Sequence, residues 1–191
     1  MKVVAFNGSP RPEGNTFLAL NLVLDELKKE GIETELVQIG NRKLFNCLAC
    51  YKCGENKDKQ CARKDDDMNQ FIAKMIEADG ILIGSPVHFS NVSSNVKALI
   101  DRCGLVARYN DEMLKHKVGA AVVAVRRAGA TFTFAAINMF FTYHQMIIPG
   151  SSYWNLGLGR EPGQVLNDEE GVKTFQNLGQ NMAWLLKKLN G

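Results

Sequence analysis

The chain has 191 residues, 46% hydrophobic and 23% charged, a balance that suits a globular fold with a sizeable core and excludes a disordered or fibrous chain. Its net charge of +3 is too small to mark nucleic acid or an anionic membrane as a partner. The start MKVVAFNGSP lacks the apolar length and cleavage site of a signal peptide, and no apolar stretch is long enough to span a bilayer, so a cytoplasmic protein is expected.

The apolar run Val3–Phe6 predicts a first strand, and Asn15–Glu30 a helix after a short loop. Thr34–Ile39 reads as the second strand, followed by an irregular stretch, Gly40–Asp65, too long for an ordinary connection. Asp66–Ala78 has helical period, Gly80–Val87 is a buried strand, and Asn95–Leu105 a helix. Strand Val118–Val125 and helix Thr131–His144 follow, then a fifth strand at Met146–Pro149 and an irregular stretch at Ser151–Asn167. The closing helix Asp168–Leu189 places Val172, Phe175, Leu178 and Met182 on one face. Five βα units in series predict an α/β fold: a doubly wound, five-stranded parallel sheet in the flavodoxin-like order 2-1-3-4-5, helices on both faces. The helix TFTFAAINMFFTYHQM is apolar nearly all round, which calls either for burial within the fold or for a subunit interface.

The loop FNGSPRPEGNT stands where an open parallel sheet binds ligands, at the carboxyl end of its first strand. Ser9, Arg11, Asn15 and Thr16, with the N–H groups of the following helix, are donors suited to phosphate oxygens. The loop has no lysine, which excludes a Walker A site, and no Gly-x-Gly-x-x-Gly, which excludes the usual dinucleotide fingerprint. Helix capping is the simpler use of Ser, Asn and Thr, yet capping calls for neither an arginine nor two prolines.

Four of the five cysteines fall at Cys47, Cys50, Cys53 and Cys61, a Cys-x2-Cys-x2-Cys-x7-Cys pattern. Structural zinc prefers two separated pairs, whereas three closely spaced cysteines with a fourth further on is the ferredoxin style of holding a 4Fe–4S group. Free thiols, a redox-active disulfide and zinc are the alternatives. Cys103 stands alone and reads as a buried small hydrophobe. Asp65–Asp67 reads as an acidic helix start, and His144 as a helix end whose ring meets the last carbonyls. Gly159–Gly171 carries a Pro-Gly turn to which no chemistry is assigned.

GSPRPEGNT resembles the FMN phosphate loop of the flavodoxin-like NAD(P)H-dependent FMN reductases, and the resemblance extends over the whole chain. IGSPVHFSNVSSNVKALIDR resembles that family's second flavin loop, which implies that Pro86, Val87, His88, Phe89, Ser90 and Asn91 meet the isoalloxazine edge. VRRAGAT resembles its third loop, which implies Arg126, Arg127, Ala128 and Gly129 near the flavin ring. Either arginine could put positive charge beside N1 and O2, or both could be solvated surface residues. The cysteine run and DDDM resemble the iron–sulfur flavoprotein branch, which implies a 4Fe–4S cluster on Cys47, Cys50, Cys53 and Cys61.

The resemblance implies a single flavodoxin-like FMN-binding domain over 1–191 with a cysteine-rich insert at about 41–65, assembled as a homodimer or homotetramer. It implies an oxidoreductase that takes hydride from NAD(P)H at FMN N5, with no side-chain acid or base, and passes electrons to flavin, quinone, a metal, the cluster or a redox protein. A non-catalytic FMN/4Fe–4S electron carrier, and a flavin-free zinc module, are the alternatives.

Overall fold

The apolar run after Met1 becomes an interior strand of a parallel sheet in the computed structural model, which describes residues 1–190. The strands are β1 (Lys2–Asn7), β2 (Glu33–Gln38), β3 (Gly80–Pro86), β4 (Val118–Val125) and β5 (Leu156–Leu158), in the order β2-β1-β3-β4-β5. Every pairing is parallel, as the expected crossover topology demands.

Successive strand residues point to opposite faces, so both faces need cover. Val3, Ala5, Leu82 and Val122 pack under α1 (Asn15–Lys29) and a long terminal helix, Glu169–Asn190, through Leu20, Leu24, Phe175 and Met182. Val4, Phe6, Ile81 and Ile83 face the other way. There they meet Phe71, Leu99 and Ile137 from helices Met68–Glu77, Ser94–Tyr109 and Ala130–Tyr143. A short helix within the cysteine stretch, Lys52–Asn56, makes the chain-order labels α2 for it, then α3, α4, α5 and α6 for the others.

The fifth strand is not at Met146–Pro149. Ile147 makes only an isolated bridge to Val118, at the start of β4. Pro149 has no N–H with which to extend the ladder. The chain leaves the sheet and returns as β5, where Leu156, Gly157 and Leu158 pair with Val123, Ala124 and Val125. The edge strand is therefore interrupted, and its second part lies in a stretch expected to be irregular.

Helix α5 is neither buried all round nor polar on its outer side. Thr133, Ile137, Phe140 and Phe141 face the sheet, while Phe132, Met139 and Tyr143 are about two-thirds exposed. Among the described residues no helix is long and apolar enough to cross a membrane.

Candidate functional site

The loop after β1 is shaped by two residues outside the expected set. Asn7, fully buried, accepts the N–H of Ser9 at 3.1 Å and donates to Pro12 O at 3.2 Å. Its amide also donates to Gln38 Oε1 at 2.6 Å, and Gln38 Nε2 returns to Ser9 O at 2.7 Å. Ser9 Oγ accepts the N–H of Arg11 at 3.1 Å, which turns the loop back toward the helix. Gly40 lies against this turn so closely that a Cβ there would stand 2.1 Å from Ser9 O.

Gly14 is the N-cap of α1, and among the described residues no side chain caps that helix. Ser9, Asn15 and Thr16 are thus not caps. The first N–H groups, with the positive end of the helix dipole, face the loop and are available to an anion. Asn15 is engaged elsewhere. Its Nδ2 donates to Glu161 O at 2.9 Å and its Oδ1 accepts the N–H of Val165 at 3.2 Å. These two hydrogen bonds tie α1 to the stretch after β5, to which sequence reasoning gave no role.

That stretch completes one wall of a cavity of about 300 Å³. Ser9, Arg11, Asn15 and Thr16 form one side of the cavity, and Gly159 and Arg160 close it from the far loop. Pro86, Val87 and His88 line it from the end of β3, and Arg126 from the end of β4. Arg160 is the residue that sequence reasoning missed, and only its PG-turn neighbourhood hinted at a loop there. The cavity sits at the carboxyl ends of the strands, beside the switch in strand order, where such sheets bind ligands.

Phe89, Ser90, Asn91, Arg127, Ala128 and Gly129 stand outside the walls of this cavity. His88 and Asn91 exchange backbone hydrogen bonds of 2.9 and 3.0 Å, closing a two-residue turn. Its central residues Phe89 and Ser90 have φ of +48° and +58°, left-handed values that side chains disfavour. Gly129, at φ +87°, fits under this turn; a Cβ there would lie 2.6 Å from Ser90 Oγ. The second and third loops thus lock each other, and Phe89 is left fully exposed at the tip.

The four cysteines of the insert line a second cavity, of about 240 Å³, with Arg63, Arg102, Leu105 and Val106 on its walls. All are free thiols. Burial, and then the neighbouring Cys61 and Cys50, push the Cys53 thiol up. Among the described residues no three His, Cys, Asp or Glu side chains converge as the ligand set of a single ion. Ala49, Tyr51, Lys57 and Lys59 all hold positive φ, a local cost of roughly 1–2 kcal/mol each that only surrounding contacts can sustain. One such contact is Asn110, which donates to Cys53 O at 3.1 Å and accepts the N–H of Lys59 at 2.9 Å.

Beneath the insert, Asp66 and Arg102 form an ion pair with no side-chain exposure. Burial opposes the Asp66 charge, but Arg102 and the N–H groups of Phe45 and Met68 outweigh it and hold the carboxyl below the usual range. The middle residue of DDDM is therefore a buried partner, not an ornament of the helix start. Cys103 is buried as expected, and burial pushes its thiol up.

The sequence profile of the family described as NADPH-dependent FMN reductase matches residues 1–161. An iron–sulfur flavoprotein of Methanocaldococcus jannaschii is 40% identical over 194 residues, covering 98% of each chain. A second from that organism is 33% identical over 200 residues, covering 100% of each. The chain belongs to the NADPH-dependent FMN reductase family, in its iron–sulfur flavoprotein branch. The structure of RosB with a bound 8-demethyl-8-formylriboflavin-5′-phosphate intermediate shares the fold, with a TM-score of 0.74 at 20% identity over 100% of this chain and 80% of that one.

FMN is the cofactor of this reductase family, and the first cavity suits it. Uncapped helix N–H groups and the arginines Arg11, Arg126 and Arg160 surround a space beside apolar Pro86 and Val87. The protein is thus an FMN flavoprotein of the oxidoreductase class.

Proposed function

We propose that this flavoprotein takes electrons from NAD(P)H at FMN and delivers them, by way of a 4Fe–4S cluster on Cys47, Cys50, Cys53 and Cys61, to a small-molecule acceptor or a redox protein. FMN supplies hydride acceptance at N5 and release of single electrons, so the protein needs no acid or base there. Ser9, Arg11, Thr16 and the first N–H groups of α1 hold the phosphate, and Asn15 holds the loop bearing Arg160 against them. Pro86, Val87 and His88 with Arg126 form the ring end, Arg126 being the charge that favours a reduced flavin, and the interlocked turns Phe89–Asn91 and Arg127–Gly129 hold these walls from outside.

One observation carries the reading: a single helix serves both sites. At the start of α4, Ser93 Oγ donates to Gly8 O in the phosphate loop at 2.8 Å, and further along Arg102, Leu105 and Val106 wall the cysteine cavity. The cysteine cavity suits a cluster because a cube of four irons takes one thiolate per corner. All four cysteines line that one cavity. The names of the relatives in Methanocaldococcus jannaschii support the same assignment.

The exposed Phe132, Met139 and Tyr143 on α5 favour a second copy of this chain as their cover, giving a homodimer or a homotetramer. Anaerobic stopped-flow mixing with NADH and NADPH tests the donor. Bleaching of the flavin on a turnover timescale supports the reductase reading. No bleaching with either nucleotide leaves the second reading, an electron carrier reduced only by protein partners.

A further inference from the structure

Arg102 is the largest fully buried side chain of the protein among the described residues, at 1% exposure. An unpaired guanidinium there would cost several kcal/mol in desolvation. Every side of it is instead occupied. Nη1 pairs with the Asp66 carboxylate and donates to Phe45 O at 3.2 Å, and Nη2 donates to Arg63 O at 3.0 Å. Nε donates to Cys61 Sγ at 3.3 Å.

Three of these contacts fasten the insert. Phe45 stands two residues before Cys47 and Arg63 two residues after Cys61, so one side chain clamps both ends of the cysteine run. The fourth contact is not needed for that. A neutral thiol is a weak acceptor, whereas a metal-bound thiolate carries charge that a buried N–H of a cation stabilises strongly.

We propose that Arg102 is a positioning residue that raises the reduction potential of the cluster through its Nε–H bond to Cys61. The inference rests on the cluster reading given above. Reduction adds one electron, and so one negative charge, to the cluster and its thiolates. A hydrogen bond to a ligand sulfur and a cation in a water-poor site stabilise that reduced form more than the oxidised one. Asp66 opposes the effect as the counter-charge of the same guanidinium, though it binds a different nitrogen. The pair is therefore a setting with two opposed parts.

The test uses full-length protein reconstituted anaerobically with iron and sulfide, titrated with dithionite and read from the low-temperature paramagnetic signal of the reduced cluster. In Arg102→Met the midpoint falls. At the wild-type midpoint the reduced-to-oxidised ratio drops at least about tenfold, which is 59 mV for one electron. In Asp66→Asn the shape is kept and the counter-charge removed, so the midpoint rises. Arg102→Met leaves Asp66 buried without a partner, so the double variant Arg102→Met/Asp66→Asn removes both charges, and its midpoint still lies below wild type. An unchanged midpoint in Arg102→Met and in the double variant overturns the proposal, as do shifts of the two single variants in the same direction. Loss of the cluster from every variant, with the wild type loaded, also overturns it and makes Arg102 a folding clamp only. A wild type without iron and labile sulfide overturns the cluster reading itself, and this proposal with it.

Discussion

Asn15 Oδ1 accepts the backbone N–H of Val165 at 3.2 Å, across 150 residues of sequence. With the bond from its Nδ2 to Glu161 O, it joins the start of the helix that receives the phosphate to the loop that carries Arg160. On the proposed phosphate site, Asn15 would act on the cofactor through Arg160, whose loop it holds. Arg160→Ala is expected to weaken FMN binding about tenfold or more, the worth of a hydrogen bond to a charged group. Asn15→Ala should weaken it comparably, and the double variant by less than the two together, because one residue works through the other. Titration of apoprotein with FMN, followed by fluorescence quenching, measures the cycle; full binding by Asn15→Ala beside weak binding by Arg160→Ala contradicts it.

Gly40 has no room for a side chain beside Ser9 O. Gly40→Ala is expected to displace the phosphate loop, lose FMN on gel filtration and lower stability by about 1–3 kcal/mol, the usual cost of overpacking. Retention of stoichiometric FMN with an unchanged melting temperature contradicts the close approach.

His144 is buried against Phe140 and Tyr143, with ring centroids 4.8 and 5.1 Å away. It ends the helix as the sequence suggested, but its ring packs among aromatic side chains. Burial, only partly offset by Glu112 and aided by Arg108, holds its pKa down at about 4, against 6.5 in an open chain. Above pH 6.5 both states are neutral and the native state bears no penalty. As pH falls from 6.5 to about 4 the unfolded chain takes up a proton that the native state resists, so stability is lost over that window. Urea unfolding at pH 7 and pH 5 should differ by about 2 kcal/mol from this residue. His144→Leu should flatten the difference; an equal difference in that variant contradicts the assignment.

The outer face of α5 gives a prediction on assembly. Met139→Glu places a charge among Phe132 and Tyr143 and is expected to reduce the sedimentation coefficient to that of a monomer at micromolar concentration. A wild type that already sediments as a monomer removes the proposal.

Much of this protein is legible in its sequence because much of it is locally encoded. β1, β3 and β4 are continuous apolar runs, and α1 and α6 carry a clear helical period, so order and layering follow. The phosphate loop shows in residue types that only an anion needs together. What is not legible depends on long-range contacts. Leu156–Leu158 is too short to carry a strand pattern, and Met146–Pro149 looks like the better strand until Pro149 and the single bridge at Ile147 are seen. Helix α2 has five residues and no period of its own. Asn7, Gln38, Asp66, Arg102 and Arg160 are ordinary polar residues in sequence, and their roles come from partners brought near only by the fold.

The central claim is that two redox groups, FMN and a cluster on Cys47, Cys50, Cys53 and Cys61, share this chain. Anaerobically purified protein, reconstituted and desalted, should contain about one FMN with about four iron and four acid-labile sulfide per chain. Cys53→Ser should lose the iron and sulfide but keep the flavin. Stoichiometric FMN with zinc, or with no metal and no sulfide after reconstitution, contradicts the account.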